Sequence, residues 1–204
     1  MSQTDERQVV WSATPTPFLE NGELDHPALE CVVEQHLRLE VGGLFLAGTC
    51  GEGPFMPNGQ RAELVEAPRR MAADRLQLAV QVSDTSVARV RENIARSEDA
   101  GADYVIIAPP WLEWFASRDF YRRYFIESIE AAEAPVGIYV RPGTEDSPLD
   151  LSLWRELANH PAVRVMKDSS GSEVNRRAFA SIREKRSDLL LLTGGGALRR
   201  RQRL

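Results

Sequence analysis

The chain has 204 residues, of which 43% are hydrophobic and 27% charged, and its formal net charge at pH 7 is −5. This apolar content is enough for one compact core and excludes a disordered or fibrous protein. The acidic balance argues against nucleic-acid binding, which needs clustered positive charge. No apolar run has the length of a membrane span or of a signal peptide. We therefore expect a cytoplasmic protein that acts on a small molecule, without nucleic-acid or membrane partners.

Only two cysteines are present, Cys31 and Cys50. They are too few for the disulfide framework of a small secreted protein. No Cys/His cluster has the spacing of zinc ligands, so we expect no metal site of that kind.

Short apolar runs rich in Val, Ile and Leu recur along the chain and predict seven strands. The runs are continuous more than alternating, as in parallel strands that are covered on both faces by helices. The predicted strands are residues 9–13, 44–47, 78–82, 104–108, 137–140, 163–167 and 189–193.

Helical patterns lie between these runs. Asp25 is predicted to cap a first helix, with Pro27 in its first turn and Gly42 near its end. Pro68 is predicted to kink or split the second helix. This second helix is predicted over residues 60–73, and further helices are predicted over residues 87–100, 119–132 and 173–185.

Each predicted strand and the helix that follows it have the length of one βα unit. Right-handed crossovers would curl such units into a TIM (β/α)8-type barrel, although the spacing alone also allows a doubly wound open sheet. About seven units are present. After Thr193 the sequence is GGGALRRRQRL, so we expect a barrel domain over residues 1–193 that lacks the last strand, followed by a basic tail over residues 194–204. Such a tail is more often a solvated or non-native end than an interaction arm.

Three candidate functional segments follow predicted strands, where a parallel α/β fold places its reactive side chains. The first is the loop Gly48-Thr49-Cys50-Gly51-Glu52-Gly53. Its glycines allow close approach of a ligand, and its N–H groups with the Thr49 hydroxyl suit a carboxylate. An ordinary βα turn is the alternative. The pattern lacks the Lys-Ser/Thr of a phosphate-binding loop.

The other two segments carry Tyr139 and Lys167. Tyr139 at a strand end can shuttle a proton, or can simply be a half-buried aromatic residue. Lys167 ends a predicted buried strand, where desolvation would lower its pKa and free the amine as a nucleophile for carbonyl carbon. A lysine whose ammonium reaches the surface is the alternative.

Taken in order, the motifs GTCGE, YVRPG and VMKDSSG resemble the dihydrodipicolinate synthase and N-acetylneuraminate lyase family, as do the opening residues TPTPF. The resemblance covers the chain to Thr193 and implies a TIM barrel and a class I, Schiff-base lyase for pyruvate or a related 2-oxo acid. It implies no cofactor, and a homo-oligomer is expected.

Carried over residue by residue, Lys167 matches the imine-forming lysine and Tyr139 the proton-relaying phenol. Thr49 matches the hydroxyl bonded to that phenol. The loop residues Gly48, Cys50 and Gly51 match the segment that binds the 2-oxo acid carboxylate, with Cys50 in place of a second threonine. A thiol is a poorer donor than a hydroxyl, so carboxylate binding is expected to depend on backbone N–H groups.

Two departures from the family pattern bear on the substrate. Trp111 stands where many members have a proton-relay tyrosine, and Thr144 stands where the lysine-pathway synthases have an arginine. Arg141, three residues earlier, is a candidate substrate-binding residue. These differences favour an aldolase or dehydratase of 2-oxo sugar acids over a dihydrodipicolinate synthase. The alternative from a different class is a non-catalytic barrel fragment that binds small carboxylates or only oligomerises.

Overall fold

A computed structural model describes residues 10–111, 117–141 and 149–194. Within these ranges, seven strands form a single parallel sheet in which each strand pairs with the next one along the chain. The strands are β1 (Trp11–Ala13), β2 (Gly43–Leu46), β3 (Gln77–Gln81), β4 (Tyr104–Ile107), β5 (Val136–Val140), β6 (Val163–Asp168) and β7 (Leu190–Thr193). All seven predicted strands are therefore confirmed, with boundaries that differ by one or two residues.

Six α-helices connect these strands. The side chain of Asp25 accepts a hydrogen bond from the Ala28 N–H at 3.0 Å, which confirms the predicted cap of the first helix. The helices are α1 (His26–Arg38), α2 (Asn58–Ala72), α3 (Val87–Asp99), α4 (Arg118–Ile129), α5 (Leu151–Ala158) and α6 (Glu173–Lys185), and 3-10 turns occur at Gly53–Phe55 and Ala73–Arg75.

Two helical features differ from the sequence prediction. Helix α5 was not predicted, because eight residues give only two turns of apolar spacing. Its cap is nevertheless regular, since the Asp150 carboxylate accepts from the Leu153 N–H at 2.8 Å. Helix α2 continues through Pro68 without being split. A proline removes one helical hydrogen bond, and here the buried apolar face of the helix keeps the chain helical on both sides of it.

The sheet curls into a nearly closed barrel. Strands β2 and β6 are separated by three intervening strands, which would place them about 19 Å apart in a flat sheet. In the structure, Lys167 on β6 lies against the ring of Phe45 on β2, with 3.4 Å between Nζ and the ring centroid. An open, doubly wound sheet does not permit this contact, so the barrel prediction is confirmed.

The apolar residues divide between the inside and the outside of this barrel. Phe45, Ala79, Ile106, Ala108 and Tyr139 form a small cluster on the inner face. Two larger clusters join the outer faces of the strands to the helices. This arrangement explains the continuous apolar runs of β2 to β6, because both faces of these strands are covered. The edge strands β1 and β7 are only partly buried.

Several sequence predictions fall outside the described residues: Val9, Thr144 and the tail after Gly194. Among the helices that the structure does describe, none is both long enough and apolar enough to cross a membrane.

Candidate active site

Lys167 lies on β6, in register with Tyr139 on the neighbouring strand β5. Side chains of a strand alternate between its two faces, so Val165 and Lys167 point to the inside of the barrel and Met166 points to the helices. Only 9% of Lys167 is exposed. Within the described ranges no carboxylate forms an ion pair with its ammonium. The lysine is therefore buried without the partner that a buried charge ordinarily has.

Two aromatic rings take the place of that partner. The Nζ atom of Lys167 is 3.4 Å from the centroid of the Phe45 ring and 4.3 Å from that of Tyr139. The two rings contact each other edge to face, with 5.7 Å between their centroids. The negative faces of such rings attract a cation by about 0.5–2 kcal/mol. The rings thus hold the amine at a defined position inside the barrel.

Burial lowers the pKa of Lys167 to about 8, and the electrostatic effect of nearby Cys50 acts in the opposite direction. At neutral pH about one tenth of such a lysine is uncharged, compared with roughly one part in 3,000 for a lysine of ordinary pKa. A neutral amine is the nucleophilic form, and the site thus raises its population by a large factor.

Lys167 also lines a cavity of about 300 Å³ between β1 and β7, the two edge strands of the sheet. Phe45 contributes to the same wall, together with Trp11 on β1 and Leu191 on β7. The cavity is large enough for a small organic acid. The amine is therefore buried in the protein but is open to a ligand of that size.

The loop after β2 owes its shape to glycines. A Cβ on Gly48 would lie 2.7 Å from the Phe45 ring, and one on Gly53 would lie 1.8 Å from the Ala47 carbonyl oxygen. Gly51 is fixed from the opposite side, because the Thr16 hydroxyl donates to its carbonyl at 2.6 Å. The sequence predicts that the glycines allow a ligand to approach the loop closely. In the structure they allow the loop to pack closely against neighbouring residues of the protein.

This packing determines which N–H groups are free for a ligand. The N–H groups of Gly51 and Gly53 both donate to the Gly48 carbonyl at 3.1 Å. In the part of the chain that the structure describes, those of Thr49 and Cys50 donate to no acceptor. Both of these residues are exposed. A carboxylate at this loop would therefore bind to Thr49 and Cys50, whereas Gly48 and Gly51 shape the turn.

Tyr139 and Thr49 are not directly connected. Tyr139 is 5% exposed, whereas Thr49 is exposed. Among the described residues their hydroxyl groups form no hydrogen bond with each other. Catalytic hydrogen bonds often form fully only when substrate is bound. The lack of a hydrogen bond between the two hydroxyl groups therefore does not remove either residue from the candidate site.

Arg141 immediately follows β5 and is 8% exposed. Its Nη2 donates to the Pro110 carbonyl at 3.1 Å, and its guanidinium lies 4.1 Å from the centroid of the Trp111 ring. Arg141 thus packs against the loop after β4, and Trp111 itself is 41% exposed. This contact joins Arg141, the candidate substrate-binding residue, to Trp111, one of the positions at which the sequence departs from the family pattern.

Phe45 is the site residue that sequence reasoning missed. It appears in the sequence as one of several apolar residues of a predicted strand. The alternation along β2 places it on the inner face, but the curvature that brings β2 to β6 cannot be derived from that strand alone. No three His, Cys, Asp or Glu side chains cluster as potential metal ligands among residues 10–111, 117–141 and 149–194.

Comparison with known proteins agrees with the resemblance in the motifs. Residues 7–200 match the profile of the dihydrodipicolinate synthetase family. The 4-hydroxy-tetrahydrodipicolinate synthase of Aromatoleum aromaticum is 29% identical over 182 residues, which cover 89% of this chain and 61% of the relative. Synthase 1 of Streptomyces coelicolor is 30% identical over 156 residues, covering 76% and 51%. The chain thus spans about half to three fifths of the length of these relatives.

Solved structures share the fold. The prophage protein YagE of E. coli K12, a dihydrodipicolinic acid synthase family member solved with pyruvate, has a TM-score of 0.82 and 22% identity, and the match covers 91% of this chain and 63% of that one. A variant of the 2-keto-3-deoxygluconate aldolase of Sulfolobus solfataricus has a TM-score of 0.78 and 19% identity, with 91% and 60% covered. The motifs, the barrel and the profile match lead to one conclusion: the chain belongs to the dihydrodipicolinate synthetase family.

Proposed function

We propose that the chain carries the site of a Schiff-base lyase for pyruvate or a related 2-oxo acid, with Lys167 as the imine-forming residue. The observation that supports this most directly is a buried lysine that has no carboxylate partner within the described ranges. Aromatic rings hold it in a cavity, and burial lowers its pKa to about 8. Family membership supports the same chemistry.

In the proposed reaction the neutral Nζ of Lys167 attacks the C2 carbonyl carbon of the acid. The carbinolamine that forms loses water to give a protonated imine. The imine attracts electrons from C3. The C4 hydroxyl then gives up its proton, C4 becomes a carbonyl carbon, and cleavage of the C3–C4 bond leaves its electron pair in an enamine. The proton transfers to the carbinolamine oxygen, from the C4 hydroxyl and to C3 are assigned to the hydroxyl of Tyr139. Tyr139 is in register with Lys167 on the adjacent strand. Hydrolysis of the imine then releases the 2-oxo acid and the free amine. Neither metal nor organic cofactor takes part in this scheme.

The carboxylate of the acid is assigned to the N–H groups of Thr49 and Cys50. These two donors are unoccupied within the described residues, and both are exposed at the end of β2. Arg141 is a second candidate for a carboxylate, and its contact with Trp111 would have to loosen for it to serve.

Trapping with borohydride tests the proposal, and the chain supplies its own control. Lys167 and Lys185 are the only lysines in the sequence, and Lys185 is exposed at the end of α6. Treatment with pyruvate and borohydride should add one reduced pyruvyl group at Lys167 and none at Lys185, as measured by peptide mass spectrometry. Lactate, which has no carbonyl at C2, should give no adduct. Equal labelling of both lysines, or no labelling of folded protein, would rule out the site.

The complete substrate is proposed to be a 2-oxo sugar acid. Trp111 supports this assignment, because an indole cannot relay a proton as the tyrosine of many family members would. The guanidinium of Arg141 also packs against the Trp111 ring. The two relatives compared above bear the synthase name, so the assignment departs from the name of these relatives. Turnover of 2-keto-3-deoxy sugar acids should exceed condensation of pyruvate with aspartate semialdehyde. Efficient condensation would show that Trp111 does not exclude the synthase reaction. The sequence and the site leave open whether the sugar acid is cleaved or dehydrated.

A further inference from the structure

Gln81 on β3 is a buried polar residue to which the proposed reaction gives no role. Only 2% of it is exposed, and its side-chain oxygen Oε1 is buried without a hydrogen-bond partner in the described part of the chain. An amide oxygen that leaves water without gaining a donor costs free energy, so such atoms are rare in folded proteins. Where one persists beside a candidate active site, a bound ligand can supply the missing donor.

The side chain of Gln81 points to the inside of the barrel. Ala79, two residues earlier on β3, belongs to the inner cluster that contains Phe45. Side chains alternate along a strand, so Gln81 shares this inner face. The loop after β2 agrees, because a Cβ on Gly48 would lie 3.8 Å from Gln81 Oε1 and 2.7 Å from the Phe45 ring. The amide therefore lies near the ring that contacts Lys167.

Gln81 and Tyr139 lie at the same level of the barrel. Gln81 is in register with Ile106 on β4, and Ile106 is in register with Gly137 on β5, two residues before Tyr139. The strands of such a barrel are tilted, so residues at one level are displaced from register by about one residue per strand. With the tilt that brings β6 against β2, two strand steps place Tyr139 level with Gln81. Alternate strands of a TIM barrel fill one interior layer in this way.

The cavity that Lys167 lines reaches the same layer. By the same displacement, Ala13 on β1 and Gly194 after β7 are the other members of the layer. Both of them line this cavity. Because one is small and the other has no side chain, the polar groups of the layer come from Gln81 and Tyr139. The cavity therefore gives a ligand on Lys167 access to this layer.

We propose that Gln81 determines substrate specificity by binding the C4 hydroxyl group of a 2-oxo sugar acid, an inference that rests on the Schiff-base site proposed above. In that reaction the C4 hydroxyl gives its proton to Tyr139, which places the C4 oxygen near the level of Gln81. An amide both donates and accepts hydrogen bonds, as a hydroxyl group does. The carboxylate of the acid is assigned to Thr49 and Cys50, and a neutral amide offers it no charge.

This contact would make the site selective. An acid without a hydroxyl group at C4 leaves Oε1 of Gln81 without a donor. A site with a buried hydrogen-bonding group rejects the analogue that lacks the matching group far more strongly than an apolar pocket rejects a changed side chain. Gln81 should therefore favour hydroxylated 2-oxo acids over simple ones.

Calorimetric titration with two acids that differ only at C4, 4-hydroxy-2-oxobutanoate and 2-oxobutanoate, tests the proposal. The titration uses Lys167→Ala, which can neither form an imine nor cleave the acid, so the result does not depend on Schiff-base chemistry. The hydroxy acid should bind more tightly by about tenfold or more. Gln81→Met in the same background should abolish this preference by weakening the binding of the hydroxy acid. Gln77→Met, at an exposed glutamine of the same strand, should leave the preference unchanged.

The stability of the ligand-free protein separates a binding role from a structural one. Gln81→Met replaces a buried amide whose oxygen has no partner in the described ranges with an apolar side chain of similar length. Urea unfolding should therefore show equal or greater stability than in the wild type. Lower stability would show that Gln81 serves the fold, and would overturn the proposal.

Three results of the titration would also overturn it: equal affinity for the two acids, a preference that survives Gln81→Met, or no saturable binding of either acid. Borohydride labelling of the wild type decides separately on the Schiff base. A labelled Lys167 without a preference in the titration rejects the role of Gln81 alone. A preference without labelling keeps the hydroxyl-binding role of Gln81 and rejects imine formation.

Discussion

The ammonium nitrogen of Lys167 lies 3.4 Å from the centre of the Phe45 ring, although the two residues belong to strands β6 and β2. The ring face stabilises the charged amine, while burial stabilises the neutral one. Burial lowers the pKa of Lys167 to about 8. The reactivity of the lysine is therefore set by two opposing interactions, one of which a single substitution can remove.

Phe45→Leu should lower the pH midpoint of imine formation. The substitution removes an attraction of about 0.5–2 kcal/mol for the charged amine, which corresponds to a downward shift of up to about 1.5 pKa units. The midpoint is measured from the rate of borohydride-trapped adduct formation against pH. Phe55→Leu, at a residue that is 82% exposed, is the matched control and should leave the midpoint unchanged. A midpoint that rises in Phe45→Leu would show that the ring does not stabilise the charge.

In the wild-type protein, imine formation should accelerate with rising pH and level off above about pH 8, where Lys167 is mostly uncharged. The direction follows because only the neutral amine attacks the carbonyl, and its population falls tenfold for each pH unit below the pKa. Single-turnover trapping with pyruvate at a series of pH values measures this profile. A rate that still rises steeply near the ordinary lysine pKa would mean that burial does not perturb the group.

Tyr139→Phe should slow turnover by about 100-fold with a smaller effect on 2-oxo acid binding, as expected for a group that acts mainly in the transition state. If Thr49 assists Tyr139 once substrate is bound, the double variant with Thr49→Val should lose less activity than the two single losses combined. The changes in the free energy of unfolding of the two single variants should add in the double variant. This is expected because the two hydroxyl groups form no hydrogen bond with each other within the described residues. Additive losses of activity would separate Thr49 from the proton relay.

Gly53→Ala should destabilise the protein by at least about 2 kcal/mol. The alanine Cβ would lie 1.8 Å from the Ala47 carbonyl oxygen, so the backbone must move. Gly59→Ala is the control, because residue 59 lies in helix α2 and a Cβ there meets no atom within 4 Å. That change should be neutral or stabilise by up to about 1 kcal/mol. Urea unfolding of the two variants measures the difference. Equal stability of both would show that the β2 loop relaxes without cost.

Strands β2 to β6 are predictable because they are covered on both faces, so their apolar character is continuous and local. The catalytic candidates at strand ends were predictable for a related reason: a lysine or a tyrosine is conspicuous after such a run. Helix α5 was missed because two turns give a weak periodic signal, even though Asp150 marks its start. The continuation of α2 through Pro68 depends on packing, which local propensity does not include.

The parts of the site that depend on distant strands could not be predicted. Contact between Phe45 and Lys167 requires the curvature of the whole sheet. The engagement of the Gly51 N–H by the Gly48 carbonyl is visible only once the loop is folded.

The closeness of Gly48 to Phe45 also restricts the order in which the two positions can change during evolution. An alanine at position 48 would place its Cβ 2.7 Å from the present ring, so it becomes acceptable only after residue 45 has become smaller. The reverse order passes through an overpacked intermediate, which typically costs 1–3 kcal/mol. The effects of the two substitutions are therefore not independent, and relatives that carry a larger residue at position 48 should also carry a smaller one at position 45.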